Sequence, residues 1–165
     1  MVLKTQASRI NDLAWLAVSF VLVFTVYGFG RHASVGKVDQ WYATLLKPEW
    51  APPNSVLSSV WSVLYALMAL AAWLVWRESG WRNGKRALLL YAGQLTFNFL
   101  WPILFFGLEC PFAAMIDAMV LWAVLLATLL DFRLHSTLAT AALVPYLLWV
   151  SYAVCLNSTV WRLNA

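Results

Sequence analysis

Long uncharged stretches separate the charged residues of this chain, and they predict its helices. Four such stretches cover residues 13–30, 50–76, 87–108 and 136–161. A fifth lies between Glu109 and Asp131 and is interrupted only by Asp117. Because a helix needs roughly 20 apolar residues to cross a bilayer, the pattern predicts an all-α membrane protein with five transmembrane helices.

The predicted helices are joined by short connections. We place them at about residues 12–30, 55–76, 87–106, 111–130 and 136–157. The longest connection, residues 31–54, mixes proline with Trp and Tyr, which favour the bilayer interface. Proline stiffens the backbone, so we expect a structured loop that can close over a cavity. Only a tight turn fits between the third and fourth helices, which are therefore expected to be antiparallel neighbours within a single domain, residues 1–165.

Composition and charge argue against a soluble domain and against a nucleic-acid-binding protein. The chain is 63% hydrophobic and 11% charged, whereas a soluble domain has about 25% charged residues. The net charge of +4 is dispersed over the connections, with no basic stripe to bind nucleic acid. Seven of the eleven basic residues fall on one side of the predicted topology: Lys4, Arg9, Arg77, Arg82, Lys85, Arg86 and Arg133. The positive-inside rule then predicts a cytoplasmic N-terminus in a bacterial inner membrane.

Signals of ordinary enzymes are absent from the sequence. There is no Gly-rich phosphate loop, no HExxH and no GxSxG, and His32 and His135 have no carboxylate or cysteine spaced for a triad or a metal. Cys110 and Cys155 lack metal-ligand spacing and are interpreted as unpaired apolar residues rather than a disulfide. The sequence therefore predicts no catalytic triad, no metal and no required cofactor.

Polar residues inside the spans are candidates for function, because they must face protein or a water-filled cavity. Gln94, Asn98 and Trp101 share one face of the third helix. Their amides either hold the helices together or bind a ligand. Asp117, in the fourth helix, lies near the outer interface, is paired with a neighbouring helix, or is protonated and handles protons. No second intramembrane carboxylate completes a proton relay, which argues against a proton-coupled pump.

Aromatic residues form further stripes at helical spacing. Trp61 and Tyr65 share a face of the second helix, and Tyr146, Trp149, Ala153 and Asn157 share a face of the fifth. Such stripes are often plain packing, but the chain has 11 Trp, and several lie well inside their spans. A flat aromatic ligand would explain them, since indoles favour ring contacts and a few amides fix orientation.

Several motifs resemble those of the TspO/MBR family, the tryptophan-rich sensory proteins related to the mitochondrial translocator protein. The loop signature spans Trp41-Tyr42 and residues 46–53, and the second-helix segment runs from Trp61 to Met68. The third-helix motif covers residues 94–107, and the fifth-helix motif covers residues 145–162. Together these motifs extend, in order and at family spacing, from Trp41 to Arg162.

The resemblance implies a five-helix bundle around a pocket beneath the first loop, often in a homodimer, that binds tetrapyrroles such as protoporphyrin IX. Family positions place Trp61, Asn98, Trp101, Trp149 and Ala153 in the pocket, and Tyr65 and Tyr146, on the same aromatic stripes, are further candidates for ligand binding. The lid would supply Trp41, Tyr42, Pro48 and Trp50, while Gln94 and Asp117 match polar family positions. The C-terminal sterol motif has Ser158 where a tyrosine is expected, which argues against sterol recognition.

Three functions are compatible with these features. The first is a porphyrin-binding sensor or regulator of tetrapyrrole traffic and stress. The second is a transporter, although a short chain without paired repeats offers little machinery for alternating access. The third, implied by the resemblance, is light- and oxygen-dependent porphyrin degradation, for which Trp61 and Trp149 would be the catalytic residues.

Overall fold

The computed structural model describes residues 6–165, with side chains from Ile10 onward. Lys4 therefore lies outside the described residues. The chain forms α1 (Gln6–Ser34), α2 (Trp41–Thr44), α3 (Asn54–Pro102), a π-helical turn (Ile103–Gly107), α4 (Pro111–Phe132) and α5 (Thr137–Leu163). Over the described residues the fold is all-α, and four of these helices are long and apolar enough to cross a membrane.

Helix α3 is folded back on itself at Gly80. This residue has φ 64° and ψ −179°, a left-handed conformation that suits glycine because it lacks a Cβ. The hydroxyl of Tyr65 donates to Asn98 Oδ1 at 3.1 Å, although 33 residues of straight helix would separate the two by about 50 Å. Residues 54–79 and 81–102 are thus two antiparallel arms, which we call the first and second arm of α3.

The observed helices extend further than the predicted ones. Residues 77–86, expected to be a loop, are helical except at Gly80, because Arg, Glu and Lys have high helix propensity and allow helix on both sides of the glycine. The predicted loop over residues 31–54 is shortened by α1 and contains α2. Helix α5 continues to Leu163, beyond its predicted end.

Small residues bring the helices together. Ala69, Ala71 and Ala87 are fully buried in the core with Met68 and Leu125, and small side chains allow close backbone approach in membranes. The Ser19 hydroxyl on α1 donates to the Ala69 carbonyl at 2.7 Å. Outward faces instead carry exposed large apolar side chains such as Val21, Leu22, Met119 and Leu148, as expected for surfaces in contact with lipid.

A polar cluster ties the helices at the end of the bundle near Gly80. Arg86 Nε lies 3.0 Å from Asp131 Oδ2, and His135 Nε2 lies 3.5 Å from Asp131 Oδ1. Ser79 Oγ and His135 Nδ1 are 2.9 Å apart, which joins the first arm to the same cluster. The Arg86–Asp131 pair also confirms that the second arm of α3 and α4 run antiparallel, as the sequence predicted.

Candidate ligand site

Asn98 joins three helical segments in the interior of the bundle. Its oxygen accepts the Tyr65 hydroxyl from the first arm of α3, and its Nδ2 donates to the Tyr146 hydroxyl on α5. All three side chains are buried. Because a buried polar group is costly unless it is hydrogen-bonded, this triad fixes the relative positions of both arms and α5.

Trp101 continues the polar face toward the end of the second arm. Its Nε1 donates to Asn157 Oδ1 on α5 at 3.0 Å, and Asn157 Nδ2 donates to the Pro111 carbonyl at the start of α4 at 2.9 Å. The Trp101 ring stacks on Phe105 with centroids 4.9 Å apart. Trp101 therefore joins the π-helical turn, α4 and α5 about one helical turn beyond Asn98, toward the end of the second arm.

Aromatic rings surround the triad on the side of the first arm. The Trp61 ring lies 5.7 Å from Tyr65, 6.2 Å from Tyr146 and 6.5 Å from Trp149, centroid to centroid. Tyr27 on α1 extends the group, with its ring 5.1 Å from Tyr65. These rings meet edge-on or tilted, so a flat ligand entering here must separate some of them. We call Trp61, Tyr65, Tyr146 and Trp149 the aromatic cluster.

The loop between α1 and α3 covers this end of the bundle. Trp41 lies 5.3 Å from Phe105, and Tyr42 lies 5.9 Å from Phe105 and 6.0 Å from Phe106, centroid to centroid. Lys47 Nζ sits 4.5 Å from the Tyr42 ring centroid and donates to the Tyr42 carbonyl at 2.6 Å. Burial raises the pKa of the Tyr42 hydroxyl, with Tyr152 adding to the effect, so Tyr42 stays neutral at physiological pH.

Three polar contacts fasten the loop to the bundle. Lys37 Nζ lies 2.5 Å from Glu109 Oε1, after the π-helical turn. The backbone N–H and carbonyl of Leu46 pair with the Asn164 amide, both at 2.9 Å. The Tyr152 hydroxyl on α5 donates to the Trp50 carbonyl at 3.0 Å. The loop is thus held at both ends and in its middle, as a closed lid.

Two buried polar side chains of the bundle have atoms without a hydrogen-bond partner among the described residues. Gln94 is fully buried, yet neither its Oε1 nor its Nε2 is bonded. Asp117 is buried on α4, and its Oδ2 has no partner. Unsatisfied buried polar groups are rare in proteins, and both residues belong to the candidates that the sequence indicates.

The structure brings together most of the residues that the sequence singled out. The aromatic cluster, Asn98 and Trp101 form one connected region, and Trp41 and Tyr42 reach it through Phe105. Trp50 joins through Tyr152, whose ring is 5.5 Å from Trp149. Pro48 forms a loop turn, accepting the Ala51 N–H, and Ala153 is half-buried one turn along α5 from Trp149.

Several residues of this region do not belong to the site predicted from the sequence. Tyr27 and Tyr152 were omitted from the predicted site, although each contacts one of its rings. Asn157 was placed on the α5 stripe but not in the site, and Asn164 was not considered. A signal existed for Asn157, because an amide within an apolar helix requires a partner. No such signal exists for Asn164, because its hydrogen bonds to Leu46 depend on where the loop folds.

Open grooves lie away from the lid. One, of about 410 Å³, runs between α1 and the first arm and is lined by Phe20, Ser62, Val63, Ala66, Leu67 and Leu70. Another, of about 530 Å³, lies beside the start of the second arm, near Arg82 and Arg86. The rings of the aromatic cluster contact one another, with centroids 5.7 to 6.5 Å apart.

Comparison with known protein sequences shows which family the chain belongs to. The model of the TspO/MBR family matches residues 15–162. The chain belongs to the TspO/MBR family. A translocator protein from Sus scrofa is 41% identical over 154 residues, covering 91% of this chain and 91% of that protein. A tryptophan-rich sensory protein from Cereibacter sphaeroides is 42% identical over 138 residues, covering 82% of this chain and 85% of that protein.

The similarity extends to archaeal relatives. A tryptophan-rich protein TspO from Archaeoglobus fulgidus is 36% identical over 149 residues, covering 90% of this chain and 96% of that protein. The family match covers the lid, both arms of α3, α4 and nearly all of α5. Membership of the TspO/MBR family, together with helices long and apolar enough to span a bilayer, establishes an integral membrane protein.

The Asn164 contact predicts how firmly this TspO/MBR lid is closed. Asn164→Ala removes the partner of the Leu46 N–H, so we expect this amide to exchange with deuterium about twofold to tenfold faster, as for the loss of one net hydrogen bond. Thr159→Ala is the matched control, because Thr159 bonds only within its own helix. Unchanged exchange at Leu46 in the Asn164 variant would show that this contact does not hold the lid.

Proposed function

We propose that this protein binds porphyrin-type tetrapyrroles such as protoporphyrin IX within the membrane and acts as a sensor or regulator of their traffic. The main support is the pair of indole rings of Trp61 and Trp149, whose centroids lie 6.5 Å apart, beside two tyrosines that are hydrogen-bonded to Asn98. A porphyrin is a broad aromatic plane. Indole and phenol rings offer it large contact area, and the buried amides provide hydrogen bonds that fix its orientation.

Charge at the lid fits the carboxylates that protoporphyrin carries at one edge. Lys47 forms no ion pair with any described residue and is free to accept an anion once it leaves its backbone carbonyls. Lys37 is paired with Glu109 but is 40% exposed. A ligand with its ring in the aromatic cluster would direct its acidic edge toward these cations, which favour negative charge at the mouth of the site.

Membrane placement and assembly complete the proposal. The excess of basic residues near Gly80 supports a cytoplasmic N-terminus in a bacterial inner membrane, which puts the lid on the outer side. A homodimer is proposed on the same family grounds as the ligand. Ser158 in place of the expected tyrosine supports a preference for tetrapyrroles over sterols.

Quenching of tryptophan fluorescence by protoporphyrin IX tests the proposal. The detergent-solubilised protein should show saturable quenching, and Trp149→Ala should weaken the affinity about tenfold through loss of one aromatic contact and its buried area. Trp81→Phe is the control, because Trp81 is exposed at the opposite end of the bundle. Linear, non-saturating quenching in the unsubstituted protein would mean that the porphyrin only partitions into the micelle, which would refute the proposal.

The same samples separate binding from degradation. Under illumination in air, a porphyrin that is only bound should lose absorbance at the same rate in the protein and in Trp149→Phe once bleaching is corrected for bound fraction. Faster loss that depends on Trp149 would favour the degradative function. The Trp149→Phe variant keeps an aromatic ring, so it retains most of the contact area while removing the indole.

A further inference from the structure

A basic groove lies at the end of the bundle opposite the lid. It is a shallow, open surface along one face of a single helix and is lined by Arg82, Asn83, Lys85, Arg86, Leu89 and Leu90. All six belong to the start of the second arm of α3, immediately after the break at Gly80. The groove therefore has a polar, cationic end near the break and an apolar end one to two helical turns further along the arm.

Positive charge in this groove exceeds its local compensation. Arg86 pairs with Asp131 at 3.0 Å, whereas neither Arg82 nor Lys85 forms an ion pair with any described residue. Arg82 and Arg86 are separated by four residues, and Arg82 and Lys85 by three, so the helix places like charges on one face. Such neighbours destabilise a helix, and an anion bound between them would offset the repulsion.

The apolar end of the groove indicates its depth in the bilayer. Leu89 is 54% exposed and Trp81 is 55% exposed. Exposed Trp beside basic residues is typical of the membrane interface, and an exposed Leu a turn or two further on belongs to the hydrocarbon region. We therefore expect the groove to cross the boundary between headgroups and acyl chains. A free polyanion would contact only its cationic end.

We propose that this groove binds an anionic phospholipid, with its phosphate between Arg82 and Lys85 and an acyl chain along Leu89 and Leu90. The asparagine amide of Asn83 adds a neutral donor for the headgroup. Arginine and lysine both bind phosphate, and clusters of them beside a membrane helix favour anionic lipid. This site is independent of the porphyrin proposal, since it lies at the other end of the bundle.

Native mass spectrometry of the whole chain tests the site, using phosphatidylglycerol and phosphatidylcholine in competition. The unsubstituted protein should retain phosphatidylglycerol preferentially, and the double variant Arg82→Gln, Lys85→Gln should lose this preference by about tenfold or more. The control Arg133→Gln, Arg162→Gln removes the same net charge from exposed positions outside the groove and should leave the preference unchanged.

Two further samples keep the result decisive. The exchange Arg82→Lys, Lys85→Arg preserves charge and should preserve the preference, which separates loss of a phosphate site from loss of folding. Inorganic phosphate is added as a competitor without an acyl chain. Displacement of the lipid by millimolar phosphate would show a phosphate site rather than a lipid site and would overturn the proposal. Equal retention of both lipids, or equal loss in the control, would also overturn it.

Discussion

Replacing Asn98 by alanine is expected to lower the free energy of unfolding in detergent by about 2 kcal/mol. Hydrogen bonds between membrane helices contribute on average about 0.6 kcal/mol each, and the lost amide leaves a small cavity as well. Asn98 makes two such bonds, one to Tyr65 and one to Tyr146. Denaturation with SDS, followed by circular dichroism, measures the change.

Two companion variants test whether the triad causes this loss. Thr96→Ala is the control on the same arm, because Thr96 is exposed and bonds only to the Ala92 carbonyl. Tyr146→Phe removes one partner of Asn98, so the double variant should lose less stability than the sum of the two single variants. Strictly additive losses would mean that Asn98 and Tyr146 do not stabilise one another.

Replacing Gln94 by methionine is expected to change stability in the opposite direction, with a gain of about 1 kcal/mol. The two side chains have similar shape and volume, and the amide of Gln94 is fully buried without a partner among the described residues. A buried unsatisfied polar group costs about 1–3 kcal/mol, which an apolar side chain of the same shape avoids. The same SDS denaturation measures this gain.

The Gln94 variant also tests why the amide is present. If Gln94 binds ligand, as proposed for the site, Gln94→Met should gain stability and lose affinity for protoporphyrin IX. Leu95→Met is the control for placing a methionine inside the bundle, since it conserves volume at a half-buried neighbour of Gln94. A loss of stability in Gln94→Met would contradict the expectation and would indicate that the amide has a partner in the membrane.

The pattern of charges predicted most of the fold because the bilayer restricts the possible structures so strongly. Backbone polar groups must be satisfied within each segment, so long uncharged stretches indicated helices. The predicted connection between residues 76 and 87 does contain a reversal of the chain, at Gly80, whose φ is positive. The continuation of helix through Arg77 and Lys85 was not predicted, because hydropathy locates the membrane boundary rather than the end of hydrogen bonding. The number of spans stays a prediction from this pattern.

The candidate site was predictable where helical spacing determines neighbours. Gln94, Asn98 and Trp101 share a face by arithmetic alone, and the structure places that face inside the bundle. Spacing could not distinguish the bonded amide of Asn98 from the unbonded amide of Gln94, because that difference depends on hydroxyl groups from other helices. The closure of the lid by Asn164 depends on contacts 118 residues apart in the chain, which no local pattern encodes.

The fold-back of α3 at Gly80 has a consequence for the order of assembly during synthesis. Tyr65 and Asn98 lie on one hairpin, so the oxygen of the Asn98 amide acquires its donor as soon as the two arms meet. The nitrogen of the same amide awaits Tyr146, which the ribosome adds 48 residues later. Until α5 is in place, the Asn98 amide of the hairpin has only one of its two hydrogen bonds. Docking of α5 is then stabilised by the bond from Asn98 Nδ2 to the Tyr146 hydroxyl.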